Sequence, residues 1–279
     1  MISMITAVLS AICNVGQSVF VKLSTEKSEK NILQFNALKA GTALILFFMI
    51  SLYHFQMHLP TMLYGALYGL ALLASMVSGY LALGKGPMAL TSIITSYSLI
   101  IPCVFGAVYL NEEIRALQYL GLALLFASMG LISRIENKLI FQKNWLFYVI
   151  ITFVCNGVCP VIQKLHQVHY PEKFRQEFMV YALFVIVILL LLISAGKGKK
   201  QKKTETKYAA LSGICMGLGS YITLLLSSSV NATVLFPIVS AATMLLNYII
   251  SMILFQERFN KIQFGGFIIG IISIVLIKL

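Results

Sequence analysis

The sequence predicts an all-α integral membrane protein, with ten transmembrane helices arranged as two inverted five-helix repeats around a central cavity. Three observations predict it. The 279 residues are 59% hydrophobic and only 11% charged, with a mean hydropathy of +0.90, whereas a soluble domain carries about 25% charged residues. Apolar stretches recur ten times at the ~20-residue length that crosses a bilayer as a helix, separated by short polar links. The third observation is an internal duplication. Little sequence remains outside the spans, so no soluble catalytic domain fits.

The spans fall near 2–23, 32–53, 61–83, 88–110, 116–133, 144–165, 177–195, 208–228, 232–255 and 262–278. The first has no charge from Met1 to Val21 and carries Ser10, Asn14 and Gln17 at i, i+4 and i+7, which is one helix face. Span two holds Lys39, the one cation well inside a span. Span three carries Gly65 and Gly69, a close-packing pair, and Tyr80. Span four offers Thr91, Thr95, Tyr97, Ser98 and Pro102; span five follows Glu112. Span six repeats the polar face of span one with Thr152, Asn156, Cys159 and Gln163, and contains Pro160. Span seven carries Tyr181. Span eight has Gly213, Gly217 and Tyr221, and span nine has Thr233, Pro237, Ser240 and Asn247. Span ten contains Gly266 and Gly270 and runs apolar to the last residues. A secretory leader is not expected, because hydrophobicity persists to Leu279 and the first stretch has no basic start.

The duplication is read from shifts. Cys13-Asn14 and Lys22-Leu23 recur 142 residues on as Cys155-Asn156 and Lys164-Leu165. GALYGL at 65–70 answers GICMGL at 213–218, and Glu112, Gln118 and Gly121 answer Glu257, Gln263 and Gly266. Each unit holds five spans, so the second enters the membrane from the opposite side. The units divide at 138/139, giving 1–138 and 139–279. Inverted repeats of this kind place a solute site near the midplane where the halves meet.

Polar groups facing lipid are costly, so the stripes face the bundle interior. There they either line a cavity or join helices. The candidate solute-contacting residues are Asn14, Gln17, Lys39, Tyr80, Thr95, Tyr97, Asn156, Gln163, Tyr181, Tyr221, Ser240 and Asn247. Pro102, Pro160 and Pro237 each free a carbonyl from the helix ladder and are hinge or kink candidates. Lys39 is read as a countercharge for a carboxylate or phosphate, or as a structural lysine on helix-end carbonyls.

The nine acidic residues are all glutamates and none is expected inside a span, which discounts export of lipophilic cations. The pairs His54/His58 and His166/His169 flank spans and are expected to be solvated at the interface. Glu112 and Glu257 are expected to cap the helices that follow them. All five cysteines lie in apolar stretches and are expected as free thiols. No metal or cofactor is expected.

Pro102, LNEEIRALQYLG (Leu110–Gly121) and its counterpart FQERFNKIQFGG (Phe255–Gly266) resemble the drug/metabolite transporter superfamily, specifically its ten-span EamA-like branch, over the whole chain. The resemblance implies a cavity lined by spans 1, 3, 4, 6, 8 and 9 and export of small metabolites. The glycine that often precedes the glutamate is Asn111 here and Gln256 in the second copy.

Function follows as an expectation. A secondary carrier of a small polar metabolite, an amino acid or other carboxylate-bearing solute, is favoured; no G-x-x-x-x-G-K-[ST] loop occurs. Uptake or exchange of the same solutes and a lipid-headgroup flippase are the rivals, and an enzyme is disfavoured. Expected partners are the small-molecule substrate and the bilayer, not nucleic acid, with the chain acting as a monomer or homodimer in the plasma membrane. Fifteen Lys and Arg fall in loops on one side and five on the side of the termini, which places the termini outside.

Overall fold

A computed structural model describes residues 2–27, 32–51, 55–87, 91, 94–113, 115–132, 143–171, 173–194, 203–256 and 260–278. Among them the chain forms ten helices and no strand. These are α1 (Ile2–Lys27), α2 (Ile32–Ser51), α3 (Leu59–Lys85), α4 (Ile94–Val108), α5 (Ala116–Ile132), α6 (Lys143–His169), α7 (Arg175–Ser194), α8 (Lys203–Ser227), α9 (Ala232–Leu254) and α10 (Lys261–Lys278). Seven are long and apolar enough to cross a membrane, and α4, α5 and α10 are shorter apolar helices. The 138/139 boundary, His54, Glu257 and most of the lysine-rich link at 196–207 lie outside the described residues.

Span four departs from a plain α-helix. Residues Tyr97–Leu99 tighten into a 3-10 turn before the α-helix Ile100–Val108. Pro102 is the physical reason, because it cannot donate to the Ser98 carbonyl and its ring crowds that oxygen. Helix α6 runs four residues beyond the expected end, to His169.

The packing is a two-fold exchange between halves. α1 lies along α8 and α9, as α6 lies along α3 and α4; α2 packs on α8 as α7 packs on α3; α2 meets α7, and α5 meets α10. Between the C-terminal end of α3 and Glu112 the chain crosses the bundle once, through α4. The ends of α1 and α6 therefore lie at opposite faces, as an inverted repeat requires.

Glycines set the closest approaches. A Cβ at Gly69 would lie 2.6 Å from the Ala182 carbonyl oxygen, and one at Gly213 would lie 2.3 Å from that of Lys39. The contacts repeat between halves: Gly65 and Gly69 on α3 meet Phe178 and Ala182 on α7, as their mates Gly213 and Gly217 on α8 meet Lys39 and Ala43 on α2. Gly69→Ala is expected to destabilise the detergent-solubilised protein by about 1–3 kcal/mol through overpacking. At Gly265 an added Cβ meets nothing within 4 Å, so Gly265→Ala should leave the thermal midpoint unchanged or slightly higher. Thermal unfolding of both variants checks the pair.

Candidate functional site: a polar chamber between the halves

A chamber of about 300 Å³ opens among α1, α3, α4, α6, α8 and α9, the helices that the resemblance implies. Its walls include Asn14, Gln17 and Ser18 on α1, Tyr68 and Leu72 on α3, and Thr95, Ser98 and Pro102 on α4. Facing them are Asn156, Cys159, Pro160 and Gln163 on α6, Ser220 and Thr223 on α8, and Ser240, Thr243 and Asn247 on α9. A second cavity of about 160 Å³ shares Gln17, Ser18, Leu72, Thr95 and Asn156 with the first and extends to Lys39, Tyr80, Thr91 and Thr152.

The walls come in repeat mates. With the shifts read from the sequence, Asn14 answers Asn156, Gln17 answers Cys159 and Ser18 answers Pro160. Thr95 likewise answers Ser240, Ser98 answers Thr243, and Pro102 answers Asn247. A cavity whose walls pair in this way sits on the pseudo-two-fold axis, where the halves can move against each other.

Its chemistry is neutral with one exception. Among the described residues no Asp, Glu, Arg or His lines either cavity, and Lys39 is the one cation. Lys39 is 3% exposed, and among the described residues its amine has no hydrogen-bond or ion-pair partner. The amide nitrogen of Gln163 is also buried without one. Asn156 accepts a hydrogen bond from Ser75 Oγ at 2.5 Å, so its N–H groups are what it offers the chamber. Pro160 frees the Asn156 carbonyl and Pro102 that of Ser98. The lining therefore presents both hydrogen-bond donors and carbonyl acceptors to the chamber.

The chamber brings together Asn14, Gln17, Thr95, Asn156, Gln163, Ser240 and Asn247, with Pro102 and Pro160, and the adjoining cavity adds Lys39 and Tyr80. Four candidates do not line either cavity. Tyr97 is turned toward α5 by the 3-10 turn, where its hydroxyl donates to the Phe126 carbonyl at 3.2 Å. Tyr181 packs edge-on against Phe55 and Tyr221 against Phe47. On α8 it is the neighbouring Ser220 that faces the chamber. Pro237 is buried inside α9. Tyr68, Ser220, Thr223 and Thr243 are lining residues that sequence reasoning misses; the repeat shifts point to the last three, since their mates are Leu72, Ser75 and Ser98.

Charges gather instead at the helix ends. Glu112 does not cap α5, the helix that follows it. Its two oxygens accept from the backbone N–H of Ala232 and Thr233, both at 3.0 Å, at the start of α9. That placement suits the positive end of a helix dipole, and it joins the first half to the second. Lys164 approaches the same carboxylate at 3.6 Å and donates to the Ser227 and Val230 carbonyls at the end of α8. Its repeat mate Lys22 donates to Leu83 and Gly86 at the end of α3. A Cβ at Gly106 would lie 2.7 Å from Glu112 Oε2, so glycine there makes room for the clasp. The chain reaches it through Asn111 at φ 50°, and Gln256 repeats this at φ 51°. This left-handed backbone explains why glycine is common at the position.

Two further expectations are corrected. His166 is not solvated at the interface but fully buried. Thr61 Oγ1 lies 3.1 Å from its Nε2 and Gln167 Nε2 lies 3.0 Å from its Nδ1, so both ring nitrogens are satisfied inside the extended α6. Glu177 lies in the first turn of α7 at 5% exposure, with one oxygen accepting from Gln56 N at 3.2 Å. A carboxylate is thus buried at the end of a span, away from the chamber. The five cysteines are free thiols.

A polar chamber on the axis between two inverted helical halves defines a membrane transporter built from a duplicated module. The model of the EamA-like transporter family matches residues 1–134 and again 143–279, and the chain belongs to that family. A solved crystal structure 12% identical in sequence superposes with a TM-score of 0.77 over 98% of this chain and 95% of its own, and shows the same fold. No curated protein matches.

The clasp predicts a specific stability pattern. Glu112→Ala leaves Lys164 buried without its partner and the start of α9 uncapped, and is expected to cost about 3–5 kcal/mol. Adding Lys164→Met should recover part of that loss, because no unpaired buried charge is left. Chemical denaturation of the single and double variants measures both effects.

Proposed function

We propose that the protein is a secondary carrier that moves a small polar, carboxylate-bearing metabolite, an amino acid or organic acid, outward across the plasma membrane by alternating access. One observation carries the reading. A polar chamber walled by uncharged side chains lies on the axis relating the two halves, and the cavity adjoining it holds a single buried cation, Lys39, without a partner among the described residues. A solute carboxylate supplies that partner. Two similar halves in opposite orientation can exchange conformations, closing one face while the other opens.

The position of Lys39 also favours a role in binding. Its backbone answers that of Phe178 in the other half, as the two glycine contacts show, so the packing of α2 on α8 does not itself require a charge there. Burying an ammonium in a membrane helix is costly unless something compensates. The excess of Lys and Arg on one side supports a cytoplasmic lysine-rich link and external termini. Tag accessibility on intact cells tests that orientation.

The groove between α2 and α7, lined by residues such as Leu38, Ile45 and Leu191, shares no wall with the chamber. It lends no support to a lateral path for lipid headgroups. Purified protein in proteoliposomes loaded with amino acids or organic acids should show counterflow of the matching labelled solute without ATP. Lys39→Ala should lower that flux at least about tenfold, the loss of about 1.4 kcal/mol of binding or more. Equal flux in the variant would falsify the anion contact, and no counterflow with any solute would remove the carrier reading itself.

A further inference from the structure

Resting on the carrier reading, we infer that the solute taken by this chamber is a singly charged organic anion whose other polar groups are neutral oxygen acceptors, hydroxyl or amide, and not a zwitterion. The argument is one of charge balance in a buried space. With an anion beside it Lys39 carries one positive charge, and among the described residues no carboxylate lines either cavity. A monoanion brings the occupied site to zero. A zwitterion such as an α-amino acid adds no net charge, so the occupied site keeps one net positive charge, and its ammonium finds only neutral acceptors such as the freed Ser98 and Asn156 carbonyls. A dianion overshoots by one negative charge. Uncompensated charge at membrane depth costs more than one neutral hydrogen bond returns.

The donors run along the chamber in a consistent direction. Lys39 stands at one end, in the smaller cavity. Asn156 lines both cavities, with its acceptor oxygen already engaged by Ser75. Gln163 lies seven residues further along α6, about 10 Å of helix rise, and its buried amide nitrogen has no partner. An anionic group near Lys39 with acceptor oxygens toward Gln163 satisfies all three. The nearby cations do not compete for it: Lys164 is held by Glu112 and the end of α8, and Lys22 by the end of α3.

The test uses pairs of acids that differ only in a hydroxyl or an ammonium at C2: lactate and alanine, glycerate and serine, gluconate and 2-amino-2-deoxygluconate, with malate as the dianion. Binding to the full-length protein is read from its only tryptophan. Trp145 is 3% exposed and donates to Thr91 Oγ1 at 3.2 Å, on the wall of the Lys39 cavity. Counterflow in proteoliposomes is the second readout. At least one hydroxy acid is expected to bind about tenfold or more tighter than its amino partner and than malate. Lys39→Arg should keep that preference, and Lys39→Met should reduce it to about twofold or less. Amino members binding as well as or better than their partners, malate binding best, or no monoanion binding at all overturns the inference. Because the wild-type pairs alone decide it, a variant that fails to fold does not spoil the test. Counterflow confined to alanine or serine would overturn this charge assignment while leaving the carrier reading intact, whereas absence of counterflow for every solute would remove that reading.

Discussion

Hydrocarbon offers no hydrogen-bond partner, and that constraint organises this molecule. Every polar side chain within a span must find a protein partner or face a space that holds water or solute. The helices answer it in two ways. Serines and threonines such as Ser78, Thr152, Ser10 and Thr223 bond across helix pairs at 2.7 Å, which joins α1 to α8 and α3 to α6. The remaining polar groups, mostly carboxamides and hydroxyls, are gathered onto one axis and enclose the chamber. One rule thus produces both the adhesion between halves and the site between them.

The two halves are alike in backbone and unlike in charge. Gly65 and Gly69 on α3 repeat as Gly213 and Gly217 on α8, and each pair brings its helix against the facing helix of the other half. Lys22 and Lys164 repeat as well, each closing the carbonyl end of a neighbouring helix. Against this symmetry stands Lys39, opposite Phe178. Symmetric elements are explained by the fold they build, but an element present in one half only needs a cause outside the fold. The asymmetric cation is therefore a more informative residue than the better-matched Asn14 and Asn156.

Much of the fold was legible because the signals are local. Hydropathy marks the spans, and the polar faces of α1 and α6 show in a 3.6-residue period that needs no tertiary knowledge. The duplication was legible because three short motifs recur in the same order. What escaped was decided by contacts distant in sequence. Glu112 sits just before α5 and reads as its cap, yet it reaches the start of α9, some 120 residues away. Tyr97 and Tyr221 have a hydroxyl and a ring that suit a cavity wall, but one helix position, about 100° of rotation, turns each away and presents Ser98 and Ser220 instead. His166 reads as interfacial because helix ends are poorly set by sequence, and α6 continues far enough to bury it. Residue type alone ranks aromatic rings too high; position on the face decides.

The distribution of charge then follows from what each place can compensate. At a helix terminus a carboxylate meets free N–H groups and an ammonium meets free carbonyls, so Glu112 and Lys164 are held by backbone that would otherwise lack partners. At mid-chamber no helix terminus is at hand, and neutral amides and hydroxyls are the affordable polar groups, since an unpaired amide costs far less than an unpaired ion. They can accept water when no solute is present and trade it for solute oxygens when one arrives. A single ammonium in that setting is poorly compensated while the chamber holds only water and well compensated once an anion enters. On the proposed reading, the same desolvation that makes Lys39 costly is what would make the occupied chamber selective for charge.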